Sequence, residues 1–134
     1  MSLRAIEQID YVILPCIDLK RAREFYLSTM KFELESATAT WVVFRVGNTR
    51  LALRPRGPWL AWEDGSMPKS SAAVQLAFRV SPAEVDVCYQ ELLAKRVSIL
   101  DGPRDQAFGH RTLFFRDTEN NVLEVYAEMN GQGR

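Results

Sequence analysis

Residues 108–128 read FGHRTLFFRDTENNVLEVYAE, two apolar runs about a polar centre. Side chains of a strand alternate faces, so Val122, Glu124 and Tyr126 stand on one side of the second run, and Leu123 and Val125 on the other. The connection, Asp117-Thr118-Glu119-Asn120-Asn121, consists of residues that bond their own backbone and tolerate positive φ, and it predicts a β-hairpin. That hairpin delivers Glu124 at a fixed distance from its turn, inside an otherwise apolar strand. A carboxylate there either faces water, as most strand glutamates do, or is buried with a partner, because burying the charge alone is costly.

A second copy of the pattern lies upstream. Residues 41–53, WVVFRVGNTRLAL, carry Phe44-Arg45, a Gly-Asn turn and an apolar strand that overlay Phe115-Arg116, the polar turn and Val122–Val125. Further upstream, the strand beginning at Tyr11 leads through Asp18 into a helix ending near Met30. The strand beginning at Gln75 leads through Ser81 into a helix ending near Lys95. Each half therefore reads strand, helix, then three strands, which is the mark of an internal repeat.

The helix starts have local chemistry behind them. Asp18 can accept backbone N–H bonds at the first, and Ser81-Pro82-Ala83-Glu84 has the form of a capping box with Pro at the first helical position. Ala22, Phe25, Tyr26 and Met30 fall at helical spacing, as do Val85, Cys88 or Tyr89, and Leu92, so each helix has one stripe to bury. In the fifth strand Val74, Leu76, Phe78 and Val80 form the face suited to lie under a helix, which turns Gln75 the other way. Tyr11 matches Gln75 in the first half, and Ala52, or Leu53 if the turn is counted differently, matches Glu124. Tyr11, Ala52, Gln75 and Glu124 are expected on a concave sheet surface.

The opening IDYVILPCIDLKRAREFY, the mid-chain VQLAFRV and the closing FGHRTLFFRDTENNVLEVY together resemble the vicinal oxygen chelate superfamily, which includes glyoxalases, extradiol dioxygenases and the fosfomycin- and bleomycin-resistance proteins. The resemblance covers about residues 6–128. It implies an α+β fold of two βαβββ modules forming a curled mixed sheet around a concave cavity. The modules are expected at about 6–56 and 71–128 with a linker over 57–70, all in a single domain. In the closing turn Thr118 stands where the family usually has Pro, and Asn120 where it has Gly, a change Asn tolerates at positive φ.

At the metal site the departures are larger. The resemblance implies one ligand from the first strand, commonly His, another from the fifth strand, His or Gln, and the closing Glu, with a further Glu from the first half in the glyoxalase branch. This chain supplies Tyr11, Gln75, Glu124 and Ala52 at those places. Gln75 and Glu124 are acceptable oxygen ligands, but a neutral phenol is a poor one and Ala52 cannot ligate. No metal is therefore expected, and if a divalent ion is bound its ligands are Gln75 and Glu124. His110 is the chain's single histidine, so one subunit cannot assemble a two-His site. Without a metal, Glu124 in an apolar cavity with Tyr11 and Gln75 suits a general base or a ligand anchor. His110 either bonds to loop backbone or contacts a ligand, and Arg111 is expected to be an exposed strand arginine.

The remaining features mostly remove alternatives. At 134 residues and 47% apolar composition the chain is long enough for one compact domain. Seventeen acidic and seventeen basic residues cancel, which argues against nucleic acid or an anionic membrane as partner. No stretch has the length and apolarity of a membrane span and no signal-like segment opens the chain, so a cytoplasmic location is expected. Cys16 and Cys88 read as small buried hydrophobes. The one long irregular stretch, Pro55–Ser71, is broken by Pro and Gly and holds Trp59 and Trp62. These indoles either pack on their own domain, cap the cavity or meet a second subunit. Phosphate-binding and nucleophile motifs are absent.

The resulting expectation is a protein that binds a small organic ligand in the manner of bleomycin-resistance members, with a degenerate metal site. Its ligand-binding residues would be Tyr11, Gln75, His110, Glu124, Trp59 and Trp62. The alternative is a metal-dependent lyase, isomerase or dioxygenase of the same superfamily. Exposed sheet edges favour a homodimer.

Overall fold

A computed structural model describes residues 2–68 and 71–129. Lys69 and Ser70, within the expected linker, lie outside the described residues. The chain divides into two compact units, Met1–Ser66 and Met67–Arg134.

In the first unit, β1 (Tyr11–Cys16) is followed by α1 (Leu19–Glu24), a π-helical turn over Phe25–Thr29, and β2 (Glu33–Ala37), β3 (Val42–Val46) and β4 (Thr49–Pro55). Asp18 caps α1 by accepting the Arg21 N–H at 3.0 Å. The π turn, in which the Met30 N–H reaches the Phe25 carbonyl, was not foreseen. It turns Phe25 and Tyr26 into the core, where Tyr26 is fully buried against Phe32 and Phe44. The strand order is β1-β4-β3-β2, with β1 and β4 parallel and the others antiparallel.

The second unit repeats the plan with β5 (Gln75–Arg79), α2 (Glu84–Ala94), β6 (Ile99–Asp105), β7 (His110–Arg116) and β8 (Val122–Glu128), in the order β5-β8-β7-β6. Both units are thus βαβββ and the class is α+β. The repeat extends to detail, for each helix ends on a basic residue in the left-handed region, Lys31 at φ 58° and Arg96 at φ 59°. Both β2 and β6 carry register shifts.

Two expectations need correction. Ser81 does not cap α2 through its side chain. The residue before the helix is Ala83, and the Ser81 carbonyl accepts the Glu84 N–H at 3.0 Å in a turn. Pro82 therefore sits in that turn and not in the helix. Nor is Arg111 a free surface arginine, since it bridges Asp105 on β6 at 2.9 Å and Asp86 on α2 at 3.0 Å. This link places Arg111 on the face that α2 covers, with Leu113, Phe115, Leu123 and Ala127 fully buried beside Val85.

The closing turn is tightly bonded. One Asp117 oxygen accepts the N–H groups of Glu119 and Asn121 at 2.8 and 2.9 Å, and the other accepts the Asn121 amide at 3.0 Å. The Asn121 side-chain Oδ1 in turn accepts the N–H groups of Ala73 and Val74 at 3.3 and 3.2 Å, tying the hairpin to the residues before β5. Asn120 takes φ 65°, the conformation expected of it.

Candidate functional site

The face of the second sheet opposite α2 collects the residues that alternate with the core. β5 contributes Gln75, Ala77 and Arg79; β8 contributes Val122, Glu124, Tyr126 and Glu128; β7 contributes His110, Thr112, Phe114 and Arg116. Glu124 lies at the middle of this face, paired in register with Ala77 on one side and Phe114 on the other. It is fully buried, which decides between the two sequence readings of this residue in favour of an interior carboxylate. The Gln75 amide donates to its Oε1 at 3.3 Å. Gln75 itself is exposed, so the pair sets a solvent-facing amide over a sequestered carboxylate.

His110 sits two residues from Thr112 on β7. Its ring stacks on Tyr126, with centroids 4.6 Å apart and planes 14° from parallel, and meets the Phe108 ring edge-on. The imidazole is buried but does not bond to the loop backbone: neither ring nitrogen has a hydrogen-bond partner among the described residues. Structure corrects the loop-bonding alternative here: the chain turns at Gly109, φ 91°, and the Gln106 and Gly109 N–H groups bond to backbone carbonyls and not to the imidazole.

In the first unit the register settles the equivalent of Glu124. Ala77 faces Glu124 two residues after Gln75, and Ile13 faces Ala52 two residues after Tyr11, so Ala52 is the match and not Leu53. Ala52 is fully buried and brings no donor. Tyr11 is half exposed, its ring 6.4 Å from that of Trp41 with the Arg50 guanidinium 5.6 Å above it. Arg50 is held by Glu35 at 2.8 Å, and that bond keeps the Glu35 carboxyl below its usual pKa.

Trp59 packs against rings of its own unit, whereas Trp62 is 54% exposed. Trp59 stacks on Trp41 at 6.2 Å, and the Arg54 guanidinium lies 4.7 Å from the Trp59 ring and 5.9 Å from that of Trp62. The centre of this cluster, missed from sequence, is Asp64. It takes both terminal nitrogens of buried Arg54 at 2.7 and 2.8 Å, the Gly57 N–H at 2.9 Å and the Trp62 indole N–H at 3.2 Å. These donors, Arg54 foremost, hold the Asp64 carboxyl well below the usual carboxylate range. The only advance signal was an aspartate between two prolines and glycines in a Trp-bearing stretch, which does not reveal its partner ten residues back.

The donor set does not fit the metal site that the fold implies. Among the described residues no group of three His, Cys, Asp or Glu could hold a metal ion. Of the four positions concerned, the second unit supplies an amide and a carboxylate, and the first supplies a phenol and a methyl group. A divalent ion is left without nitrogen donors or a second carboxylate.

These features meet in a known family. The profile of the Glyoxalase/Bleomycin resistance protein/Dioxygenase superfamily matches residues 8–125, and the chain belongs to that superfamily. Over 125 residues it is 22% identical to metallothiol transferase FosB of Lysinibacillus sphaericus (strain C3-41), covering 90% of this chain and 82% of that one. A glyoxalase/bleomycin resistance protein/dioxygenase from Nocardioides superposes with a TM-score of 0.80 at 24% identity, covering 97% of this chain and 90% of that one. Lactoylglutathione lyase from Agrobacterium tumefaciens superposes with a TM-score of 0.74 at 20% identity, covering 92% and 95%. At these identities the likenesses carry the fold. A transferase and a lyase stand among the similar proteins, so membership does not choose a reaction.

Proposed function

We propose that the protein binds a small organic ligand on the face of the second sheet that carries Gln75 and Glu124, without a resident metal. The observation that supports this is the pairing of a fully buried carboxylate with an exposed amide at 3.3 Å. A buried carboxylate is kept in a stable fold only when its oxygens are bonded. Gln75, exposed and making a long bond, is a partner that an incoming donor can displace. A ligand bearing an N–H or an ammonium group would form a charge-assisted hydrogen bond with Glu124, stronger than the amide bond it replaces. If the bound molecule is also transformed, Glu124 is the group placed to accept its proton. Tyr11, His110, Trp59 and Trp62, expected as further ligand contacts, play no part in this pairing.

The proposal includes a homodimer, supported by the unpaired edges of β2 and β6 and by Leu3, Ile6 and Ile9, all strongly exposed. The ligand test is a ligand-observed NMR screen of small organic amines and amides against the wild type and Glu124→Gln. Hits should weaken roughly tenfold to a hundredfold in the variant, the loss expected of a charge-assisted bond of about 1.5–3 kcal/mol. Hits that bind both proteins alike would place the site elsewhere. A metal-dependent reaction, favoured by the name of the FosB relative, would show as bound metal that is lost on Glu124→Ala.

A further inference from the structure

A cavity in the second unit does not involve Gln75 or Glu124. It lies at the β6–β7 turn, has a volume of about 250 Å³, and is lined by Asp105, Gln106, Gly109, His110 and Met129. His110 is 4% exposed, and both of its ring nitrogens are buried without a hydrogen-bond partner among the described residues. A buried polar group left unpaired is destabilising, and native folds rarely keep one without a purpose. Here the ring is also immobilised, flat against Tyr126 at 4.6 Å and edge-on to Phe108 at 5.4 Å, so its nitrogens point in fixed directions.

The other lining groups make hydrogen bonds or apolar contacts of their own. Asp105 accepts from Arg111 at 2.9 Å, an arginine it shares with Asp86. The Gln106 amide donates to the Thr112 hydroxyl at 2.9 Å. Gly109 presents no side chain, its N–H reaches the Gln106 carbonyl at 3.1 Å, and its carbonyl accepts the Met129 N–H at 2.9 Å. Met129 adds a flexible apolar wall. Among the lining side chains the imidazole is the one whose polar atoms are buried with no hydrogen bond among the described residues.

We propose that this cavity is a second binding site, for a small uncharged molecule that pairs an amide-like head with an apolar body, and that His110 is its recognition residue. A neutral imidazole offers one N–H donor and one bare acceptor nitrogen. An amide carries both a donor and an acceptor, so it matches whichever nitrogen faces it, in either tautomer. The volume falls below the 300–1,000 Å³ of pockets for drug-sized ligands and restricts the site to a compact molecule. This site stands whether or not Glu124 binds a ligand.

The test uses 2-pyrrolidinone, a five-membered lactam, with cyclopentane as its apolar counterpart. His110 is the chain's single histidine, so its imidazole ¹⁵N resonances need no assignment. In the wild type, pyrrolidinone should shift those resonances and the Met129 methyl signal saturably, and bind roughly tenfold or more tightly than cyclopentane, as a site built to hydrogen-bond its ligand discriminates. His110→Phe keeps a ring against Tyr126 but removes both nitrogens, and should abolish that preference. Wild-type imidazole resonances that stay unmoved at saturating lactam, equal affinity for the two probes, or an undiminished preference in His110→Phe would each overturn the proposal. The wild-type measurement decides even if the variant does not fold.

Discussion

Replacing Asp64 with Asn keeps its shape but removes the charge that answers Arg54. The guanidinium would then be buried beside two indoles with neutral partners alone, and breaking a buried pair costs more than the pair contributes when intact. Asp64→Asn should therefore lower the melting temperature by several degrees, as a thermal melt followed by tryptophan fluorescence would show. The pH dependence has a definite sign. The Asp64 carboxyl is depressed in the fold, so its stabilisation is complete above the unfolded value of about 3.9, declines as pH falls below it and is fully lost only below the much lower folded value. All three tryptophans, Trp41, Trp59 and Trp62, belong to the first unit, so their emission should shift in the wild type only well below about pH 4, where the folded carboxyl itself takes up its proton. Asp64→Asn should lack that acid step. Glu124 and Gln75 were legible as a pair, since alternation put them on faces turned from the helix. Asp64 was not, because an ion pair formed by a loop folding back on its own strand leaves no periodic trace.

At the scale of elements, the Asp117–Asn121 turn has a clear dependence on one side chain. Asp117 accepts three hydrogen bonds and Asn121 passes the connection on to Ala73 and Val74. Asp117→Ala should cost about 2–4 kcal/mol in urea unfolding, in line with several buried donors losing a charged acceptor. Should that variant prove as stable as the parent, the turn would be held by its strands alone. Sequence reading worked well here, since Asn120 tolerates φ 65° and polar residues between apolar runs mark a hairpin. It failed at the start of α2, where Ser81 and Glu84 have the spacing of a capping box but Pro82 and Ala83 form a turn first. A motif of four residues fixes a spacing and not a backbone path. The π turn after α1 was equally illegible, because its extra residue sits within an ordinary apolar stripe.

For the whole molecule, the repeat is the feature that sequence shows best. Two hairpins and two helices in matching order sufficed to infer two βαβββ units, because topology follows from periodicity and turn chemistry. The details of a site are set by register, and register decided for Ala52 over Leu53 only once strand partners were known. The proposed homodimer is checked by sedimentation at micromolar concentration, where a dimer is expected and a monomer would count against it. No helix is long and apolar enough to cross a membrane among the described residues.

The central claim is that Glu124 and Gln75 form a ligand anchor and not a metal centre. Elemental analysis of purified protein, before and after equilibration with Zn, Fe, Ni and Mn and removal of the excess, tests it most directly. The account predicts no stoichiometric metal in either sample. One equivalent retained by the wild type and lost by Glu124→Ala would contradict it.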